Sequence, residues 1–305
     1  MINPIKIGRT LKDVYLTYLD TGIPLREKCY FEERRKLYEE DGVIMQSPII
    51  EIVNKYDGVE TLSDCCKKNN LSSDISEFLN SGLLRNSNGE EIKIYEHQRD
   101  AFLSVVKDKK NMVVTTGTGS GKTECFMIPV ISNLVEESKS WPLPEEREHA
   151  VRTLIMYPLN ALAEDQMVRL RKSLEDENVK IWLDENRKGN RFTFGRYTGR
   201  TPGKPSETRQ KSLERFKGQW ENLKKHKETN PKIFEELKYS IPCTDDNSAE
   251  LIVRQDMQTN PPDILITNYS MLNIMLMRKR EEKIFEKTKQ WLKEDKNHIF
   301  TIVID

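Results

Sequence analysis

Thr115-Thr116-Gly117-Thr118-Gly119-Ser120-Gly121-Lys122-Thr123-Glu124 is the stretch whose reading decides the fold. It follows a short apolar run, Met112-Val113-Val114, and leads into Cys125-Phe126-Met127-Ile128-Pro129-Val130, apolar at helical spacing. Strand, glycine loop, then helix is the context that a phosphate-binding loop requires. Glycines let backbone N–H groups close around phosphate oxygens, and the helix N-terminus adds partial positive charge. Lys122 is placed to reach the β- and γ-phosphates, and the Thr123 hydroxyl to ligate Mg²⁺. The strict G-x-x-x-x-G-K-[ST] pattern has glycine where this chain has Thr116. An ordinary glycine turn is the bland alternative, and the joint presence of Gly119, Gly121, Lys122 and Thr123 disfavours it.

A chain of 305 residues is long enough for about two domains and a sizeable core. It is 32% charged, and no apolar run approaches the ~20 residues that span a bilayer. The N-terminus, Met1-Ile2-Asn3-Pro4-Ile5-Lys6, lacks the apolar core of a signal peptide, so a cytoplasmic protein is expected. Cys29, Cys65, Cys66, Cys125 and Cys243 have no C-x-x-C spacing and read as reduced thiols, neither disulfides nor a zinc site. Net charge is zero, so the chain as a whole is not an obvious polyanion binder. Its distribution is uneven: Arg187 to Lys238 holds fifteen Lys/Arg against six Glu and no Asp. Such a block faces nucleic acid or is simply a solvated helix face.

Residues 1–90 read as a helical accessory domain without chemistry. Leu11, Val14, Tyr15 and Tyr18 recur at helical spacing, and Asn86-Ser87-Asn88-Gly89 is turn-rich. Beyond it, apolar strands alternate with helices, the pattern of an α/β doubly wound, mostly parallel sheet. The candidate strands are Asn111–Thr115, Thr153–Tyr157, Arg191–Tyr197, Asp263–Thr267 and Ile299–Ile304. Ligands in such sheets sit at the carboxyl ends of the strands. A helical insertion occupies about 202–260, where Leu213, Phe216, Trp220 and Leu223 share one helix face. Structural packing is the favoured reading of that helix.

Polar clusters stand at the ends of these strands. Gln98, on the helix before the phosphate-loop strand, has an amide suited to adenine's N6 and N7 edge. Pro158 to Gln166, with Asn160, begins a helix that can hold a nucleic-acid phosphate. Thr198, Gly199 and Arg200 suit backbone-phosphate contact. Thr267 and Asn268 are placed to bond a phosphate oxygen, and a plain helix N-cap at Asn268 or Ser270 is compatible with that. The apolar run Ile299–Ile304 ends in Asp305, a carboxylate placed to hold Mg²⁺ opposite Thr123.

In order and content these clusters resemble the first RecA-like domain of superfamily 2 DEAD/DEAH-box helicases, over about 91–305. Gln98 is similar to the adenine-reading Q motif and Thr116–Thr123 to motif I, with Glu124 beside it. Pro158–Gln166 resembles motif Ia, with Asn160 where an arginine is usual. Thr198-Gly199 resembles motif Ib, Thr267-Asn268 the following T-P/T-N motif, and Asp305 the first residue of motif II. The fuller phrases look closest to bacterial DNA helicases of the repair and antiphage-defence branch, such as those of DISARM systems. The resemblance implies a RecA-like P-loop domain after a small helical domain, ATP and Mg²⁺ as cofactors, nucleic acid as partner, and other proteins of a defence or repair system. It implies an ATP-dependent DNA helicase or translocase, of which this is the N-terminal portion. DNA over RNA rests on the resemblance alone, and a non-catalytic ATP- or nucleic-acid-binding module is the alternative from a different class. The sequence stops at Asp305, before the family's glutamate, motif III and arginine fingers, the last worth ~10³–10⁵ in rate in related NTPases. Alone, the chain is expected to bind ATP·Mg²⁺ weakly and hydrolyse it poorly.

Overall fold

The structure of the protein, a computed structural model, describes residues 4–46, 49, 56–86, 89–117, 119–158, 160–203 and 207–305. The chain forms two compact units, Met1–Lys55 and Tyr56–Asp305. In the first, α1 (Pro4–Gly22) and α2 (Lys28–Glu39) are joined through Asp20, which accepts hydrogen bonds from Arg34 at 2.9 Å and Arg35 at 2.5 Å. The helical spacing of Leu11, Val14, Tyr15 and Tyr18 is realised in α1, but all four side chains are exposed.

The second unit opens with β1 (Gly58–Thr61), α3 (Leu62–Lys68), α4 (Ser73–Ser81) and β2 (Lys93–Tyr95), the two strands pairing antiparallel. Side-chain caps start both helices: Thr61 accepts from the N–H of Asp64, and Ser72 from that of Asp74. Cys66, Ile75, Phe78 and Leu79 are buried in the same core as Ile155 and Ile264 farther along. Residues of α3 and α4 thus share the main core with the parallel sheet.

Helices α5 (Glu96–Phe102) and α6 (Lys122–Glu137) follow. Next come β3 (Thr153–Met156), α7 (Asn160–Leu174), α8 (Glu177–Asn186) and β4 (Phe194–Arg196). The insertion supplies α9 (Arg209–Thr229), α10 (Pro231–Leu237) and α11 (Arg254–Thr259). The chain closes with β5 (Ile264–Thr267), α12 (Tyr269–Met277), α13 (Glu282–Glu294) and β6 (Thr301–Ile304). Four strands make one parallel sheet in the order β4-β5-β3-β6.

Side chains alternate across a strand, so the register decides which helices cover which face. Leu154 aligns with Leu265, and both pack with Met257, Met271, Met275 and Ile284 of α11, α12 and α13. Ile155 aligns with Ile266, and both pack with Ile128, Ile131 and Leu134 of α6. The result is a parallel sheet flanked by helices on both faces. Asn111–Thr115, expected as a strand, joins no ladder. A cleft of about 620 Å³ separates residues 111–114 from Ile299–Asp305, and Val113 is 90% exposed. With that gap no inter-strand hydrogen bond can form, so the apolar run is not a strand here.

The amino ends of the strands are tied by a buried ionic cluster. Asp263, just before β5, has no exposed surface. It accepts from Arg147, from Arg152 at 2.9 Å and from the Thr193 N–H at 2.8 Å. Arg152 also donates to Glu137 at 2.6 Å, and the Trp141 and Trp291 indoles donate to that same carboxylate. Burial alone would raise the Asp263 pKa, but Arg147 and Arg152 outweigh it and hold the carboxyl below its ordinary value. Removing one partner of such a cluster leaves buried charge uncompensated, at a cost of about 3–5 kcal/mol. Asp263→Ala is expected to lower unfolding free energy by about that amount in a urea titration; a change under about 0.5 kcal/mol would contradict this role. The carboxyl's depressed pKa stabilises the fold above the unfolded-state value of about 4, and that contribution is lost as pH falls through the folded value. Asp263→Asn should flatten the acid limb of the stability curve.

Candidate nucleotide and nucleic-acid site

Two glycines set the shape of the loop before α6. Gly119 and Gly121 have φ of +75° and +77°, the left-handed region that side chains disfavour. A Cβ on Gly121 would also strike the Gln98 amide nitrogen, whereas Gly117 and Gly119 have open space around them. The Ser120 hydroxyl donates to the Thr116 hydroxyl at 2.7 Å, closing the loop on itself. Thr118 lies outside the described residues.

Helix α5 holds this loop from behind. Gln98 donates from Nε2 to the Gly121 carbonyl at 3.0 Å, and its Oε1 accepts the Tyr95 N–H at 2.9 Å. His97 Nε2 lies 2.7 Å from the Ser120 carbonyl oxygen. The buried Gln98 amide is thus engaged at both ends by protein backbone. His97, which the sequence reading did not single out, shares its work. Tyr56, Tyr95 and His97 form a ring cluster beside it, with centroids 5.2–5.7 Å apart.

Lys122 and Thr123 occupy the first turn of α6, where backbone N–H groups have no intrahelical partners. Lys122 is exposed and forms no ion pair among the described residues. Thr123 is half-buried and lines the same cleft as Lys122 and Asp305, which follows β6. Glu124 points elsewhere: it pairs with Arg169 at 2.9 Å and ties α6 to α7. Burial, reinforced by Glu124, pushes the Cys125 thiol up to about 11, so it stays protonated at neutral pH. Among the described residues no group of three or more His, Cys, Asp or Glu is arranged to hold a metal.

Because the sheet is parallel, every strand ends on one edge. Met156 aligns with Thr267 and with Ile304, and Arg196 with Ile266. Pro158, Gly199, Asn268 and Asp305 therefore stand along that edge. The structure separates the residues there into two kinds. Thr198 is fully buried; its N–H donates to Thr201 Oγ1 at 2.9 Å and its hydroxyl accepts the Arg200 N–H. It shapes the turn and leaves Gly199 and Arg200 exposed. Thr267 is also fully buried, donating to the Tyr197 carbonyl at 2.7 Å across the ladder. Gln166 is buried within α7. Thr198 and Thr267 are engaged by the backbone, whereas the buried Gln166 Oε1 has no hydrogen-bond partner among the described residues. Asn268 caps α12 by accepting the Met271 N–H at 2.8 Å, and Tyr269 beside it is 71% exposed. Asn160 begins α7, placing that helix N-terminus on the edge. No helix among the described residues is long and apolar enough to cross a membrane.

The chain is similar to the Druantia protein DruE of Escherichia coli (strain UMEA 4076-1), 30% identical over 337 residues that cover 97% of this chain and 18% of DruE. It is similar to the uncharacterized ATP-dependent helicase YprA of Bacillus subtilis (strain 168), 30% identical over 89 residues, 29% of this chain and 10% of YprA. Among solved structures, the DUF1998 helicase MrfA bound to DNA and AMPPNP aligns over 90% of this chain and 25% of its own, with 20% identity and a TM-score of 0.42. The chain thus spans less than a fifth of the length of the curated relatives named here. Residues 95–198, from the end of β2 through the turn after β4, match the DEAD/DEAH box helicase family.

Proposed function

We propose that this chain is the nucleotide-binding portion of an ATP-dependent DNA helicase or translocase of the cytoplasm, acting in defence or repair. The observation that carries the reading is the exposed Lys122 without an ion pair, at the N-terminus of α6 behind the left-handed Gly119 and Gly121, on one cleft with Thr123 and Asp305. The N–H groups of this first turn and the Lys122 ammonium are arranged to bind the phosphates of ATP. Lys109 and Lys110 line the same cleft and add positive charge beside the loop.

The hydroxyl of Thr123 and the carboxylate of Asp305 are hard oxygen donors, the kind Mg²⁺ takes. Two such donors fit an ion that completes its shell with water and substrate phosphate oxygens. Bound there, Mg²⁺ would neutralise charge on the phosphates. Thr123 and Asp305 would orient it, and Lys122 would hold the terminal phosphates.

For adenine, Gln98 retains one amide N–H and one oxygen lone pair beyond its backbone contacts, and the Tyr56–Tyr95–His97 ring cluster lies nearby. The exposed edge residues Pro158, Gly199, Arg200 and Asn268 would follow a strand by its phosphates, so binding should be sequence-tolerant and salt-sensitive. DNA is preferred to RNA because the sequence phrases resemble bacterial DNA helicases; no residue here is committed to a 2′-hydroxyl.

Lys122→Ala should weaken ATP·Mg²⁺ binding about 10–100-fold in calorimetry, the loss of a charged hydrogen-bond donor, with the melting temperature unchanged. Equal affinity in the variant would overturn the site. A second measurement tests the partner: matched DNA and RNA single strands competing for the chain should favour DNA, and a preference for RNA would redirect the reading to an RNA helicase.

A further inference from the structure

A cavity of about 330 Å³ opens where the turn after β4 meets the insertion helix α9. Four arginines line it, Arg171, Arg196, Arg200 and Arg215, against two carboxylates, Glu164 and Glu250. Glu250 is fully taken by Arg171, in two buried hydrogen bonds of 2.6 and 2.8 Å. Glu164 pairs with Arg196. Arg200 and Arg215 are both exposed and form no ion pair among the described residues. Of the other α9 cations, Arg209 pairs with Asp256, Lys224 with Asp245 and Lys227 with Glu177, while Lys211 and Lys217 form no ion pair among the described residues. Burial lowers the pKa of Arg196, Glu250 opposes the shift, and the neighbouring Arg200 charge adds to it.

We propose that this cavity seats a phosphodiester group of a bound nucleic-acid strand between Arg200 and Arg215, making α9 part of the strand's path. The inference rests on the reading of the strand-end edge as a nucleic-acid interface. Arg200 belongs to that edge, beside Gly199, and Arg215 faces it from the insertion. Planar guanidinium forks suit phosphate oxygens. Gln219, one turn beyond Arg215, adds an amide donor, and the half-buried ring of Phe216 between them offers a base a sequence-tolerant stacking surface. The helix is therefore docked by Leu213, Trp220 and Leu223, which are buried, and presents Arg215 from its exposed surface.

The test is binding of a fluorescent single-stranded oligonucleotide to the whole chain across a salt series. Arg215→Ala should reduce the slope of log K against log salt by about 0.7, the single-strand value for one lost phosphate contact. Lys217→Ala, two residues on and roughly 200° around the same helix, should leave the slope unchanged. Arg215→Lys should restore the slope while leaving affinity below wild type, because an ammonium cannot make the paired contact. An unchanged slope in Arg215→Ala, or an equal drop in Lys217→Ala, overturns the inference and leaves the edge itself standing if wild type still binds. Failure of wild type to bind any strand overturns both. Polyglutamate displacing the oligonucleotide at equal charge, with the same Arg215 dependence, would assign the cavity to an acidic protein instead.

Discussion

Asp263 is a carboxylate without exposed surface, and the arrangement of the site depends on how its charge is met. Arg147 and Arg152 come from the segment entering β3, the Thr193 N–H from the segment entering β4, and Asp263 itself precedes β5. One ionic cluster thus fixes the amino ends of three neighbouring strands. In a parallel sheet, a shift of one residue at that end would displace the carboxyl-end loops by one residue and turn each side chain to the opposite face. The two faces are packed by different helices, so the register that buries Leu154 and Leu265 together also brings Asn268 and Asp305 level with Tyr157, one residue before Pro158. A charge cluster at one end of the sheet is in this sense a condition for the site at the other.

The phosphate loop rests on a second, local device. Left-handed Gly119 and Gly121 turn the chain, and the side chains of His97 and Gln98 hold the Ser120 and Gly121 carbonyls from behind. Holding the carbonyls backwards is compatible with N–H groups facing forwards, which is what an anion requires. Gln98 therefore has a task in the absence of any nucleotide, and reading adenine would be added to it.

Sequence alone revealed those parts of the fold whose chemistry is local. Gly119 and Gly121 announce positive φ, apolar runs announce β3, β5 and β6, and Asn268 announces the helix that it caps. Contacts distant in sequence were not legible: Asp263 meets Arg147 and Arg152 more than a hundred residues away, and Phe78 declares its membership of the main core only by packing there. The same limit explains the site residues that moved. A threonine at a strand end looks alike whether it faces solvent or bonds the backbone; the Thr198 hydroxyl accepts the Arg200 N–H and the Thr267 hydroxyl donates to the Tyr197 carbonyl. Asn111–Thr115 has a strand's composition, but a strand also needs a neighbour within hydrogen-bonding distance, and none adjoins it.

The central claim is that the α6 N-terminus binds the phosphates of ATP. A crystal structure of the chain grown with saturating AMPPNP and Mg²⁺ tests it most directly. The account predicts phosphate density against the N–H groups of residues 119–123, Lys122 Nζ within hydrogen-bonding distance of it, and the metal between Thr123 and Asp305. An empty loop at saturating nucleotide, or the triphosphate seated elsewhere on the chain, would contradict it.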